Sequence, residues 1–332
     1  MTKRRSVSKD YWGYIFITPF VVVFLSFVLY PIFNTFWLAF TDSNLIDEGM
    51  RGSFNGIDNF VMLLNSSMFR TAIANTWIIW LSNFIPQMLL ALSLAAIFSS
   101  ATFKMRGMGF FKAIYYLPNL MMPVTIAALF SYFLDFHGPL NQFLVGTAGV
   151  MSEQRHFLLH VFDTRFTVSF IQTWLWFGQT AIILVAGMNS ISPSLYESAM
   201  VDGASQLKMF FKITLPLLKP VMLFVLVTSL VGGLNMFDIP MLLTGSRGAP
   251  YNSILTVNMY MNNRRSFPAG MIGSAASISI VLFLMSSFIA LILFKVLGEP
   301  SPAKEAKREA KRVPKKYDEY SSNQKPAESK EV

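Results

Sequence analysis

Apolar residues run through this chain in long stretches, and polar residues are confined to the gaps between them. A helix needs about 20 apolar residues to cross the hydrocarbon core of a bilayer. Six stretches are long enough: 12–40, 73–98, 110–134, 167–190, 217–243 and 270–297. The pattern predicts an all-α membrane protein with six transmembrane helices. The first stretch, YWGYIFITPFVVVFLSFVLYP, follows Lys3, Arg4, Arg5 and Lys9. It is too long for the apolar region of a signal peptide and lacks a small-residue cleavage site, so it reads as a retained helix. Between the third and fourth stretches, GPLNQFL predicts a short helix lying on the membrane surface. No internal repeat is visible.

One gap stands out. YESAMVDGASQLKMFFKITLP, residues 196–216, carries Glu197, Asp202, Lys208 and Lys212 between two of the greasiest stretches. Ser192 is placed to cap a helix, and Pro193 suits its first position, where no N–H is needed. That helix should pass Leu195, Glu197 and Ala199 and stop at Asp202-Gly203, because glycine adopts the left-handed conformation cheaply. A second short helix is predicted over about 205–213, with Pro216 forcing a break before the fifth span. The two together make a compact knob projecting from the membrane.

The residue order within the knob is specific. Glu197-Ser198-Ala199, Asp202-Gly203-Ala204, then Ile213 and Leu215-Pro216 resemble the EAA motif of ABC-importer permeases. Ser198 stands where the family usually has alanine and is equally small. The resemblance extends over most of residues 12–297 and is nearest to the carbohydrate-uptake, maltose-type branch. It is carried there by NTWIIW, YYLPNLMMP, QTWLWFG and FDIPMLLTGSRGAP. In the last of these, Ser246-Arg247-Gly248-Ala249-Pro250 replaces the branch's Gly-Gly-Pro.

The resemblance implies the transmembrane-domain fold of type I ABC importers, with the knob (loop 191–216) as a coupling helix seated on a separate cytoplasmic ATPase. Glu197, Ala199, Asp202, Gly203, Ala204 and Pro216 would form the coupling element, Glu197 meeting a basic residue of the ATPase. It implies four kinds of partner: a second permease subunit, two cytoplasmic ATPase subunits, an extracellular or periplasmic sugar-binding protein, and the sugar itself. The chain has no Gly-x-x-x-x-Gly-Lys-Ser/Thr loop, so ATP hydrolysis is assigned to the partner.

Charge sets the expected orientation. The chain carries +9 overall, with 14% charged residues and no cysteine among its 332 residues. Ten of the 27 Lys and Arg lie at Lys295 or beyond, in a tail rich in Lys, Glu, Ala and Ser. That tail, 298–332, reads as a solvated appendage near anionic lipid rather than a nucleic-acid arm. With residues 1–11 inside, 20 basic residues fall in inner segments and seven in outer ones. The excess favours cytoplasmic N- and C-termini in a bacterial or archaeal cytoplasmic membrane, flanking a permease domain over 12–297.

A sugar crossing a membrane needs hydrogen-bond partners for its hydroxyls and aromatic surface for its C–H faces. Gln172, Leu175, Trp176 and Gln179 fall at i, i+3, i+4, i+7, one face of a helix. Ser229, Gly233 and Met236 are similarly spaced in the fifth span, and Asn119 and Pro123 lie in the third. Alignment of the branch's Leu-Pro, Thr-Trp and Leu-Thr anchors places its sugar contacts on Asn119, Pro123, Gln172, Leu175, Trp176, Ser229, Gly233 and Met236. Gly233 and Met236 stand where amides would be expected. Each of these residues also suits plain helix packing.

Other chemistry finds little support. Asp238 is the one acid inside a predicted span and reads as a structural contact at the pore mouth rather than a proton relay. His156 and His160 are spaced i, i+4, but with no cysteine or HExxH glutamate they read as an ordinary outer-loop helix and not a metal site. No catalytic triad, carboxylate pair or phosphate loop is present, so neither an enzyme nor a bound cofactor is expected. Two rivals remain: the same architecture carrying a glycerol phosphate ester, and an ion-coupled secondary transporter, which would need repeats and several intramembrane charges.

Overall fold

The structure, a computed structural model, describes residues 10–45, 52–99, 107–266 and 270–298. The charged tail and most of the polar N-terminus lie outside them. Helices long and apolar enough to cross a membrane are α1 (Trp12–Leu38), α3 (Ser67–Phe98), α6 (Val161–Asn189), the run Lys219–Thr244, and α12 (Ile272–Leu297). The short helix α2 (Asp58–Asn65) precedes α3. The α3 and α6 helices begin several residues before their apolar runs. Ser66 caps α3 by accepting from the Phe69 N–H at 3.3 Å.

The third span is not one helix. Helix α4 (Met108–Leu120) and helix α5 (Pro123–Phe133) meet at 91°. The cause is local. Met121 and Met122 take extended ψ values of 144° and 135°. A residue before proline is sterically disfavoured in the helical region, and Pro123 then opens α5, where its missing N–H costs nothing. Composition along 110–134 is uniformly apolar, so the apolar run does not mark the corner.

The fifth span is also interrupted. Helix α9 (Lys219–Leu234) ends at Asn235, and α10 (Asp238–Thr244) resumes after Phe237. Freed carbonyls inside a membrane must find internal donors. Here Asn235 Nδ2 donates to the Val231 carbonyl at 2.8 Å, the Thr256 hydroxyl to that of Met236 at 2.8 Å, and Asn258 Nδ2 to that of Asn235 at 2.9 Å. Thr256 and Asn258 belong to the start of α11 (Val257–Arg265), which folds back on the break.

The central pair is α3 and α6, joined by a polar seam. Arg165 Nη2 donates to Asn75 Oδ1 at 2.8 Å, the Thr173 hydroxyl to the Asn83 carbonyl at 3.1 Å, and Gln87 Nε2 to the Thr180 hydroxyl at 2.8 Å. The sequence separations of these bonds are 90, 90 and 93, so the two helices run in the same direction in constant register. Apolar packing fills the rest: Ala91 and Ala95 against Ala181, Leu184 and Val185 towards one end, and Ile79 against Val168 towards the other. More than half of the most apolar window of α6 is buried, whereas no residue of that window in α1 is.

Chain ends follow from these contacts. After α1, Leu45 N–H donates to the Gly270 carbonyl at 2.8 Å and Gly273 N–H to that of Ser43 at 3.0 Å, so the end of α1 meets the start of α12. At the far end of α12, Leu297 lies beside Lys219 and Met88. Both described termini are therefore at the end of the bundle that carries residues 191–218.

Two smaller expectations have different outcomes. GPLNQFL does form helical turns, Pro139–Asn141 and Gln142–Thr147. His156 and His160, however, flank a 3-10 turn (Phe157–Leu159) rather than sharing an α-helical face, and the His156 ring stacks on Phe136 at 4.2 Å.

Candidate functional site: a polar knob and a membrane cavity

The knob begins with α7 (Pro193–Val201). Its Ser192 cap makes no bond to the helix N–H groups; its hydroxyl lies 2.8 Å from that of Ser194, while Pro193 supplies the preset first turn. The end of α7 is more fully specified. Gly203 has φ +73°, its N–H donates to the Met200 carbonyl at 3.0 Å, and the Ala204 N–H to that of Ala199 at 2.9 Å. This pair of bonds is a Schellman motif, which closes off the last carbonyls of a helix and needs a left-handed residue. Asp202-Gly203-Ala204 is thus one folding unit.

Ser205 then caps α8 (Gln206–Leu217), accepting from the Lys208 N–H at 3.3 Å. The helical winding of α8 contains a π-type turn at Phe210–Thr214. It passes through Pro216 without a break, contrary to expectation. Pro216 sits at the second position of the turn Leu215–Leu217, and the interruption comes at Leu218, between Pro216 and Pro220. Tyr196 and Thr214 hydroxyls meet at 2.9 Å and tie α7 to α8. Leu218 is buried among Ala91, Ala95, Leu184 and Met188, with Phe210 packed against the same cluster. Glu197, Asp202 and Gly203 remain exposed, and Ala199 and Ala204 half-buried. The knob is packed at its root, and its tip exposes Glu197 and Asp202 together with Val201 and Leu207.

A cavity of about 370 Å³ opens between α3, α6 and the broken fifth span. It gathers seven of the eight sugar-contact candidates: Pro123 at the corner of the third span, Gln172, Leu175 and Trp176 on α6, and Ser229, Gly233 and Met236 around the α9 end. Trp176 is 47% exposed, and its indole N–H donates to Gln172 Oε1 at 3.2 Å.

Asn119 is the exception. Its Nδ2 donates to the Leu175 carbonyl at 3.3 Å, so it pins the third-span corner to α6 and stays out of the cavity wall. Gly233 has a packing reason as well as a lining position: a Cβ there would lie 2.0 Å from Trp80 Cδ1. The Trp80 indole fills the space an amide side chain would need, and its N–H donates to the Ser229 carbonyl at 3.0 Å.

The cavity also contains residues that sequence reasoning passed over. Trp80, Asn83 and Gln87 come from α3, Thr180 from α6, and Asn235 from the fifth-span break. Asn83 and Gln87 lie four apart within an apolar run, which was the available signal. Asp238 lines the cavity and is exposed to it, with no side-chain hydrogen bond or ion pair among the described residues. The structural contact that the sequence suggested is not formed among the described residues.

Residues 76–298 match the family of binding-protein-dependent transport system inner membrane components. The chain belongs to this family. The permease is 31% identical over 303 residues to the lactose transport system permease protein LacF of Rhizobium radiobacter, covering 90% of this chain and 99% of the relative. It is 30% identical over 292 residues to the arabinooligosaccharides transport system permease protein AraP of Bacillus subtilis (strain 168), covering 88% and 90%. Its fold matches a bacterial alginate ABC transporter solved in complex with an alginate pentasaccharide-bound periplasmic protein. The TM-score is 0.69 and the identity 27%, over 86% of this chain and 93% of that one. The permease is a multi-pass membrane protein with the transmembrane-domain fold of ABC importers, and residues 197–216 are its EAA motif.

Proposed function

We propose that the chain is the pore-forming permease subunit of an ATP-driven, binding-protein-dependent importer of sugars of oligosaccharide size. The carrying observation is the cavity. It presents four carboxamide-bearing side chains of α3 and α6 (Asn83, Gln87, Gln172 and Gln179) and the half-exposed Trp176 ring within the membrane-spanning part of the bundle. Asn83 and Gln87 bond within the protein, whereas the amide nitrogens of Gln172 and Gln179 have no partner among the described residues. An unpaired polar group in an apolar medium costs roughly 2–7 kcal/mol, which a hydroxylated solute would offset. The relatives' lactose and arabinooligosaccharide transport systems support the same solute class.

The partners of this reading are a second permease subunit completing the pore, two cytoplasmic ATPase subunits, and a sugar-binding protein on the outside. The knob and both termini face the cytoplasm. Movement of the ATPases pushes on Glu197 and the α7 tip. The Tyr196–Thr214 link keeps α7 and α8 together, and Leu218 and Phe210 pass the displacement to α3 and α6. The same two helices wall the cavity, so a rigid shift of the pair exposes it to one side or the other. The constant-register seam lets α3 and α6 move as one body.

The test is uptake by the assembled transporter in proteoliposomes with its ATPases and binding protein. Trp176→Ala should lower uptake at limiting sugar while subunit assembly is unchanged. Wild-type uptake by that variant removes the cavity from the transport route.

A further inference from the structure

The hydrogen-bonding groups around the cavity are unevenly spent. Seven of its side chains carry a donor nitrogen; five of those nitrogens bond protein, each amide among the five through one of its two N–H groups, and the Gln172 and Gln179 nitrogens are unbonded among the described residues. Trp80 Nε1 serves Ser229, Asn83 Nδ2 the Ile79 carbonyl at 2.9 Å, and Gln87 Nε2 the Thr180 hydroxyl at 2.8 Å. Trp176 Nε1 serves Gln172 Oε1 at 3.2 Å, and Asn235 Nδ2 the Val231 carbonyl at 2.8 Å. The Thr228 hydroxyl is likewise turned to the Phe224 carbonyl at 2.8 Å.

Two acceptors have no donor among the described residues. Gln179 Oε1 is buried and has no donor. The Asp238 carboxylate faces the cavity without a partner among the described residues. No Lys, Arg or His lines the space. The Gln179 oxygen is closed to solvent, so the acceptor open to a solute is the Asp238 carboxylate.

Building on the proposed sugar-importer reading, we infer that this cavity is specific for an uncharged, hydroxylated solute and against phosphorylated or carboxylated ones, with Asp238 receiving a solute hydroxyl proton and the amide N–H groups of Gln172 and Gln179 meeting hydroxyl oxygens. A neutral glycan supplies many O–H donors and no charge. A phosphate ester or uronate brings acceptors and a negative charge to a wall that has a carboxylate and no cation. Hydrogen bonds to a carboxylate are stronger than those to a neutral acceptor, and a like charge across a low-dielectric site is strongly disfavoured. Asp238 therefore both attracts the right solute and repels the wrong one.

The experiment is equilibrium binding of two radiolabelled trisaccharides of equal length, maltotriose and trigalacturonate, to the assembled permease–ATPase complex. Wild type should bind maltotriose and reject trigalacturonate. Asp238→Asn keeps the shape and removes the charge; it should weaken maltotriose about tenfold, the scale of one charge-assisted bond, while strengthening trigalacturonate. Gln179→Leu should weaken maltotriose alone. A change that lowered both ligands together would mark Asp238 as merely structural and overturn the assignment. Equal binding of both trisaccharides by wild type overturns the charge inference while leaving the sugar reading intact. Absence of binding of either ligand to wild type, with the complex assembled, overturns the sugar reading and this inference with it.

Discussion

The knob and the cavity are built by opposite strategies. Residues 192–218 form a contiguous unit whose turns are set by neighbours in sequence: Pro193 starts it, Gly203 turns it, and Ser205 restarts it. The cavity draws on α3, on the corner of the third span, on α6 and on both sides of a helix break, positions from Trp80 to Ile239. A contiguous lever can be read and perturbed locally. A cavity assembled from distant spans responds to any change in how they pack.

The largest effect should come from charge reversal at the tip of the lever. Glu197→Lys is expected to abolish stable ATPase association while leaving sugar binding to the permease intact. Pull-down of the ATPase alongside ligand binding separates the two, and undiminished capture would remove Glu197 from the contact. Next is Gly233→Ala, which drives a methyl into the Trp80 ring. Overpacking of this kind costs about 1–3 kcal/mol, so thermal unfolding of the purified complex should shift down and the cavity should lose ligand. An unshifted transition would mean that Trp80 can move aside.

Gly203→Ala acts within the knob alone. Loss of a left-handed glycine costs roughly 1 kcal/mol, and it should reduce coupled ATP hydrolysis more than sugar affinity. Equal losses in both would erase the distinction between the two regions. Gln87→Leu removes one bond of the α3–α6 seam, worth about 0.6 kcal/mol on average between membrane helices. A small drop in stability in detergent unfolding is expected, and a collapse would show that the seam is cooperative. The smallest effect is Asn119→Ala. Because Asn119 bonds the Leu175 carbonyl and does not line the cavity, sugar affinity should change little; a large loss would put it back in the site.

Legibility followed the same division. The helix through Glu197 and its stop at Gly203 were placed by short-range rules that need only the sequence around them, and Ala204 by the resemblance to the EAA motif. The Schellman closure then showed why the alanine after the glycine belongs to the turn. The face of α6 carrying Gln172, Leu175 and Trp176 was legible because helical spacing is fixed at 3.6 residues per turn. The third-span corner was not inferred although Pro118 and Pro123 were in plain view. The surrounding apolarity fits one straight helix as well as two bent ones.

What the amino-acid sequence determined by itself was the apolar runs, the place of the knob and its turn at Gly203, and the faces of individual helices. Each depends on hydropathy or on dihedral preferences within a few residues. Only tertiary structure decided that Asn119 fastens a corner instead of facing the cavity, that Trp80 takes the room beside Gly233, and that Asn83, Gln87 and Asp238 share one space. Those outcomes depend on which helices pack together and in what register. That is set by the sum of many side-chain contacts between residues remote in sequence, and no local pattern encodes it.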